Sequence, residues 1–400
     1  MTVRVVSAPW VLTGRAPEAI ADGAVALDGD TVVAVGARAE IEARHGRGER
    51  LDAVVLPALV NAHLHLELSH MAGQVAGGEG LPAWIQLFIA ARRRAIVETE
   101  APAMTMAAED LVRAGVAAVG DVSNTLASLG PLGQAGLAGT VYQEVFGFTQ
   151  RRIEEALLAA RAARRAAGEP PPGLRVALSP HAVYSTHLPT LAELLHAGPG
   201  SIHLAEDPAE RDLCASARGP FARMLASFGE RLDGPHPQGR SSVAVVAPHL
   251  APHHLAVHCV DVDADDLALL ARSGATAVLC PRSNRYIGGR VPPLPALLAA
   301  RIPLAVGTDS LVSSPSLAPL AELALLRREF PGVPAARLLP LAWNGAAVGV
   351  PSVGRLAPGT APGIVAAPLG GAVVEDPFEF VVTVHGAEER AFTWLARHRP

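Results

Sequence analysis

The chain has 400 residues, half of them hydrophobic, which is enough for a large core in two or three domains or in one large barrel. Its net charge of −5 lacks the strongly basic character of proteins that bind nucleic acids or anionic membranes. Because it has no apolar run of about 18 residues, no signal-peptide pattern and only three cysteines, we expect a soluble cytoplasmic protein.

Lysine is absent from the sequence, and all 33 basic residues are arginine. The chain therefore cannot supply a phosphate-loop lysine or a Schiff-base lysine for pyridoxal phosphate. It also cannot bridge two metal ions with a carboxylated lysine. These classes of site are excluded.

The first 56 residues predict short strands. Runs rich in β-branched residues occupy residues 3–8, 23–30 and 31–37, and Asp28-Gly29-Asp30 between the last two is typical of a hairpin turn. Strand-like runs return after about residue 350, at residues 363–370, 371–375 and 379–386. We expect the two ends of the chain to pair in one small sheet domain.

The middle of the chain alternates short apolar runs with longer helical stretches. Eight such runs alternating with helices favour a (β/α)8 barrel, and no G-x-G-x-x-G supports a doubly wound sheet. We predict a barrel domain over residues 57–345 and a composite β-sandwich from residues 1–56 and 346–400. The candidate strands are 54–65, 116–123, 139–146, 174–181, 201–206, 255–260, 276–283 and 303–310.

Polar side chains stand at the predicted carboxyl ends of these strands, where barrel active sites assemble. His63 and His65 are two residues apart, so both side chains can face the barrel axis as half of a metal site. Buried structural histidines would be the alternative, but the pattern recurs on several strands. The other strand-end residues are His203, Glu206, His258 and Asp309.

The motifs resemble those of the amidohydrolase superfamily, specifically its mononuclear metal-dependent deaminases. The matching segments are PALVNAHLHLE at 57–67, SPHAVYS at 179–185, HLAE at 203–206, HCV at 258–260, CPRSN at 280–284 and GTDS at 307–310. The resemblance implies one divalent metal ion, expected to be zinc, with iron or manganese as alternatives. Its implied ligands are His63, His65, His203 and Asp309.

The resemblance also implies catalytic roles. Asp309 would accept the proton of the attacking water, His258 would hydrogen-bond the hydroxide, and Glu206 would carry a proton to a ring nitrogen and then to the departing ammonia. Among weaker assignments, His181 would contact the substrate. Glu67 would either contact the substrate or orient a neighbouring metal-binding histidine.

The implied substrate is a small aminated heterocycle, and the motifs look closest to deaminases of adenine-type nucleosides such as aminodeoxyfutalosine, which belongs to menaquinone biosynthesis. Alternatives are a chlorohydrolase or amidohydrolase of triazine-like rings, a cytosine or guanine deaminase, and a non-catalytic scaffold. The family also favours a homodimer.

Recognition of an anionic substrate group requires an arginine, because lysine is absent. We predict Arg282 or Arg285 for the benzoate of aminodeoxyfutalosine, although an arginine in a solvated loop is as good an interpretation. The arginine run at residues 92–94 predicts an exposed helix face. Trp84 and Phe88 are expected either to cover the pocket or to pack in an amphipathic core helix.

Overall fold

A computed structural model describes residues 3–230 and 239–398. None of the helices within these two ranges is long and apolar enough to cross a membrane. The strands, in chain order, are β1 (Arg4–Leu12), β2 (Ala19–Asp28), β3 (Thr31–Ala37), β4 (Glu49–Arg50), β5 (Ala53–Pro57), β6 (Leu59–Leu64), β7 (Val116–Ser123), β8 (Ala138–Val145), β9 (Leu174–Pro180), β10 (Gly200–Leu204), β11 (His254–His258), β12 (Thr276–Leu279), β13 (Leu304–Val306), β14 (Pro362–Pro368) and β15 (Thr393–His398).

Helices connect most of these strands. The α-helices are α1 (Arg38–His45), α2 (Leu81–Arg92), α3 (Glu100–Arg113), α4 (Leu129–Gln134), α5 (Gln150–Ala167), α6 (Leu188–Ala197), α7 (Pro208–Ser216), α8 (Gly219–Ser227), α9 (Ser242–Val246), α10 (Ala264–Ser273), α11 (Pro281–Gly288), α12 (Leu294–Ala299), α13 (Pro319–Glu329), α14 (Ala335–Leu338) and α15 (Pro377–Glu379). Short 3-10 turns lie at Leu66–Met71, Val97–Thr99, Ala247–His249, Leu339–Trp343 and Gly345–Val348, and a π-helical turn lies at Phe380–His385.

Eight parallel strands form two four-stranded sheets, in the orders β6-β7-β8-β9 and β10-β11-β12-β13. Single parallel bridges join the sheets at both edges, Leu64 with Asp309 and Ala182 with His203. Every residue of β7 and β8 is buried, as expected of parallel strands that are covered on both faces. The predicted α/β class with parallel strands is confirmed.

The two ends of the chain share one sheet. Its order is β15-β14-β5-β1-β2-β3, with β4 beside β1, and β14 pairs antiparallel with β5. The predicted hairpin is present, because Asp28 pairs with Thr31 across a two-residue turn in which Gly29 has a φ of 59°. The division into two domains at residues 56 and 346 stays a prediction.

The predicted strand over residues 54–65 is two strands in different sheets. It breaks after Pro57, whose nitrogen has no hydrogen to donate, so that β5 pairs with β14 and β6 pairs with β7. Similarly, the run predicted as a strand to residue 283 ends at Leu279, and α11 begins at Pro281, a residue favoured in the first turn of a helix.

Two C-terminal strand predictions were wrong. Residues 371–375 form no strand, and residues 379–386 are mostly helical. Asp376 explains the helix, because its carboxylate accepts hydrogen bonds from the backbone N–H groups of Phe378 and Glu379, with a proline between. The strand that completes the sheet is β15, which sequence analysis did not identify.

Candidate active site

The carboxyl ends of the parallel strands bring the predicted metal ligands together. His63 lies in β6, His65 directly follows it, and the two rings have centroids 4.9 Å apart. The Nε2 atoms of His65 and His203 are 3.3 Å apart. Asp309 Oδ1 lies 3.5 Å from His65 Nε2 and 4.0 Å from His63 Nε2. The structure therefore places all four side chains in one cluster.

The histidines of this cluster fit a divalent metal ion. Burial lowers the pKa of His63 well below its usual range, that of His65 to about 4, and that of His203 as well, so the rings are neutral at pH 7. Both ring nitrogens of His63 are buried without a hydrogen-bond partner among the described residues. An unpaired buried imidazole is costly, and coordination of a metal would satisfy it.

Asp309 is held as a carboxylate. Its Oδ2 accepts hydrogen bonds from the hydroxyls of Ser283 at 2.6 Å and Ser313 at 3.1 Å. Burial acts to raise its pKa, but the neighbouring His65 and His258 and the Ser283 hydrogen bond outweigh this and lower it. Oδ1 is left facing the histidines, as a metal ligand would be.

Glu206 and His258 lie on the same side of the cluster. Glu206 Oε2 is 3.4 Å from His258 Nε2, and the amide of Asn284 lies 2.9 Å from His258 Nδ1 and 3.4 Å from Glu206 Oε1. Burial raises the pKa of Glu206 well above its usual range, and the negative charge of Asp309 adds to the effect. A raised pKa favours the protonated form of the Glu206 carboxyl group, which is the form that a proton donor requires.

Glu144 is a second buried acid, and sequence analysis did not identify it. It ends β8 next to the cavity, with Oε1 3.5 Å from His203 Nδ1, and burial raises its pKa to about 8. The available signal was a carboxylate near the end of an otherwise uncharged candidate strand. His203 Nδ1 also lies 3.1 Å from the carbonyl oxygen of His181, so its Nε2 is free for a metal.

His181 lines the cavity beside the histidine cluster. Its ring centroid is 4.7 Å from that of His203, and its Nδ1 lies 2.5 Å from the hydroxyl of Ser185. Burial lowers the pKa of His181 well below its usual range, so it is a neutral group that can contact a substrate.

Glu67 belongs to the turn after β6, and its carboxylate contacts the loop after β7. It accepts hydrogen bonds from the backbone N–H groups of Asn124 at 2.9 Å and Ala127 at 3.1 Å, and from the hydroxyls of Ser123 and Thr125. These contacts fix the loop. They leave a direct contact between Glu67 and the substrate as an untested prediction.

The two arginines that were predicted to recognise an anion lie away from the cavity lining. Arg282 forms ion pairs with Glu389 at 3.1 Å and Glu322 at 3.9 Å, and Arg285 pairs with Glu329 at 2.6 Å. Both residues lie on helix α11, and their guanidinium groups pair with carboxylates that sequence analysis did not predict as their partners. The solvated-loop interpretation does not hold either, because both residues belong to α11 and the Arg282 side chain is only 15% exposed, although Arg285 is exposed.

A cavity of about 1180 Å³ opens above the histidine cluster. Helix α2 contributes Trp84 and Phe88 to its wall, and their rings stack with centroids 5.4 Å apart. Arg92 and Arg93, predicted on an exposed helix face, are exposed but also line this cavity. The cavity therefore has a polar floor at the strand ends and an outer wall with aromatic and cationic side chains.

The chain is similar in sequence to known deaminases. Aminodeoxyfutalosine deaminase of Deinococcus radiodurans is 34% identical over 336 residues, which cover 78% of this chain and 77% of that protein. A 5-methylthioadenosine/S-adenosylhomocysteine deaminase of Nitratidesulfovibrio vulgaris is 31% identical over 363 residues, covering 85% of this chain and 78% of that protein.

The fold is also similar to that of a solved structure, Helicobacter pylori aminofutalosine deaminase in complex with methylthio-coformycin. The TM-score is 0.83 at 20% identity, and the match covers 97% of each chain. The model of the amidohydrolase family matches residues 54–385, which include every strand-end residue of the cluster. The chain belongs to the amidohydrolase family.

Proposed function

We propose that this protein is a metal-dependent hydrolytic deaminase of adenine-type nucleosides, with aminodeoxyfutalosine as its preferred substrate. The observation that carries the proposal is a cluster of three histidines and an aspartate beside the buried side chain of Glu206. The deaminase relatives, which cover more than three-quarters of the chain, support the reaction class. Deamination of 5-methylthioadenosine or S-adenosylhomocysteine is the second candidate, favoured by the relative of 31% identity.

His63, His65, His203 and Asp309 would hold the metal ion. Three imidazoles and one carboxylate form a donor set that zinc accepts readily and that iron or manganese can also use. When bound, such an ion supplies Lewis-acid activation of the attacking water. We propose zinc as the resident ion.

The protein's own side chains would then manage the protons. Asp309 accepts a proton from the attacking water, and His258 hydrogen-bonds the oxygen that adds to C6 of the adenine. Glu206 donates its proton to the adjacent ring nitrogen, which makes C6 more electrophilic. The ionised Glu206 then takes the proton of the new C6 hydroxyl group and passes it to the amino group. The C6–N bond breaks, ammonia leaves, and the double bond between C6 and oxygen forms, after which the proton held by Asp309 restores Glu206.

His181 is our candidate for contact with the substrate beyond the reacting ring. It is a neutral imidazole on the cavity wall, and its pairing with Ser185 leaves a polar edge for a sugar hydroxyl. For Glu67 we propose an indirect contribution, through the order it gives to the loop at residues 123–127.

We also infer that the eight parallel strands close into one (β/α)8 barrel, with the sheet of the chain ends as a separate β-sandwich domain. The single bridges at both edges of the two parallel sheets support closure. The domain limits at residues 57–345, a homodimer and a cytoplasmic location are retained as proposals.

An ammonia-release assay with a measurement of bound metal tests the proposed function. The substrates are aminodeoxyfutalosine, 5-methylthioadenosine, S-adenosylhomocysteine, adenosine, cytosine, guanine and an aminotriazine. We expect ammonia from the adenine nucleosides and about one divalent ion per chain. Activity on only cytosine, guanine or the triazine would overturn the adenine assignment, and protein purified under metal-replete conditions without bound metal would overturn the mechanism.

A further inference from the structure

We propose that Arg92 and Arg93 bind a carboxylate on the distal part of the substrate, while the neighbouring aromatic wall packs against an aryl ring that carries it. The inference rests on the proposed function and deepens it. It selects, among adenine nucleosides, those whose sugar carries an aromatic acid.

Charge pairing separates the arginines of the cavity into two groups. Arg151 Nη1 lies 2.6 Å from a carboxylate oxygen of Glu155, and Arg152 Nε lies 2.6 Å from Glu230. In the second pair the Glu230 side chain is only 6% exposed, whereas the Arg152 side chain is 47% exposed. Both guanidinium groups therefore already have anionic partners.

Within the described part of the chain, Arg92 and Arg93 lack such anionic partners. Neither guanidinium group has a hydrogen bond or ion pair with any residue in ranges 3–230 and 239–398. Both are exposed, and both line the cavity. An unpaired arginine pair at the mouth of a substrate cavity is suited to a carboxylate, which a guanidinium group can bind through two parallel hydrogen bonds.

The spacing along α2 links this positive charge to an aromatic surface. Trp84, Phe88 and Arg92 follow each other at intervals of four residues, so they lie along one face of the helix. The rings of Trp84 and Phe88 are nearly parallel, at 10°, and the guanidinium carbon of Arg92 is 6.0 Å from the Phe88 centroid. Along this face, an aromatic surface is followed by a cation. An aryl carboxylate has the matching arrangement, an aromatic ring followed by an anionic group.

A simpler explanation is that arginines end α2 because cations are favoured at helix C-termini. That explanation applies equally to Arg94, whose Nε donates to the carbonyl oxygen of Ala90 at 3.2 Å and which does not line the cavity. Arg94 is therefore the matched control for Arg92 and Arg93. It is the same type of residue at the same end of the helix, but its side chain does not line the cavity.

Fragment binding tests the proposal without requiring turnover. The dissociation constants of 3-acetylbenzoate and its neutral isostere 3-acetylbenzamide are measured on the purified full-length protein by calorimetry or ligand-observed NMR. We expect the benzoate to bind about ten- to a hundredfold more tightly than the amide, the scale of a charge-assisted hydrogen bond. R92Q/R93Q should remove this difference, whereas R94Q should keep it.

Equal binding of the two fragments to the wild-type protein would overturn the proposal, and so would a preference that survives in R92Q/R93Q. Circular dichroism and thermal unfolding confirm that the variants fold. Because neither guanidinium group forms a hydrogen bond or an ion pair with a described residue, we expect little change in stability.

Kinetics then separate this inference from the proposed function. In R92Q/R93Q, the ratio of kcat/KM for aminodeoxyfutalosine to that for 5-methylthioadenosine should fall about ten- to a hundredfold. An unchanged ratio overturns carboxylate recognition while deamination stands. If R92Q/R93Q loses a preference for S-adenosylhomocysteine over 5-methylthioadenosine but keeps the preference for aminodeoxyfutalosine over 5-methylthioadenosine, the assignment of an aryl carboxylate is wrong. A wild-type protein that deaminates neither nucleoside overturns the proposed function, whatever the fragments show.

Discussion

The floor of the cavity is built from strand ends, whereas its outer wall is built from helices. His63 and His203 lie within parallel strands that are paired along one side and joined by a single bridge on the other, and their side chains are at most 8% exposed. Phe88 and Arg92 lie on α2, and Arg92 is exposed. Rigid strands suit chemistry that needs exact positions, and surface helices can vary in sequence without disturbing it. We therefore expect changes in the floor to alter the reaction and changes in the wall to alter substrate preference.

Removal of a floor ligand should have the largest effect. We expect His63→Ala to lose both bound metal and deaminase activity, because it deletes a side chain whose two ring nitrogens have no described protein partner. Metal content by mass spectrometry and ammonia release measure this outcome.

His254→Ala provides the control. Like His63, His254 is a buried histidine in a parallel strand. It begins β11, at the end away from His258, and its Nε2 hydrogen-bonds the carbonyl oxygen of Gly198 at 2.9 Å. This variant should be less stable yet keep its metal. Full metal occupancy in His63→Ala would contradict the ligand assignment.

A second prediction separates proton transfer from metal binding within the floor. Glu206→Gln removes a buried carboxyl group whose pKa is raised by burial, and kcat should fall by at least about 10², the scale for loss of a general acid. Bound metal and thermal stability should remain near those of the wild type. Loss of metal with an unchanged rate per bound ion would show that Glu206 is a ligand instead.

The floor could be predicted from sequence because its geometry follows local rules. The i, i+2 spacing of His63 and His65 fixes their common direction in a strand, and parallel strands bring His203 and Asp309 to the same end. Sequence analysis did not identify Glu144, although it obeys the same rule, because its run carried no recognised motif.

The wall could not be predicted in the same way. The direction of a helical arginine depends on how the helix packs, so sequence analysis assigned anion recognition to Arg282 or Arg285 and predicted only an exposed helix face for Arg92. Only the tertiary structure shows that Arg282 reaches Glu322 and Glu389, which are 40 and more residues away, while Arg92 faces the cavity. The C-terminal helix at Asp376 shows the same limit, since β-branched residues there outweighed a capping signal.

Glu144 tests whether the floor extends beyond the four ligands. Glu144→Ala removes the carboxyl group 3.5 Å from His203 Nδ1, and we expect metal affinity to fall about 10- to 100-fold, as is typical when a group that orients a ligand is lost. Glu144→Gln should retain most of the affinity, because the amide is isosteric with the protonated carboxyl that a pKa of about 8 implies at pH 7. Competition with a chelator measures both variants. Equal metal affinities in Glu144→Ala, Glu144→Gln and the wild type would show that Glu144 does not contribute to metal binding.

The smallest expected effect on substrate preference comes from Arg282, which is outside both regions. Its backbone N–H donates to Glu322 at 2.8 Å and its side chain donates to Ser316 at 2.9 Å, so it fixes the start of α11, from which Ser283 reaches Asp309.

Arg282→Ala should lower the free energy of unfolding by about 1–3 kcal/mol, since Glu322 is fully buried and loses its cationic neighbour. The ratio of kcat/KM for aminodeoxyfutalosine to that for 5-methylthioadenosine should stay within about twofold of the wild-type ratio, because this guanidinium group does not face the cavity. Denaturant unfolding and the two kcat/KM values measure these outcomes. A tenfold loss of the preference for aminodeoxyfutalosine without a loss of stability would show that α11, and not the wall of the cavity, recognises the carboxylate.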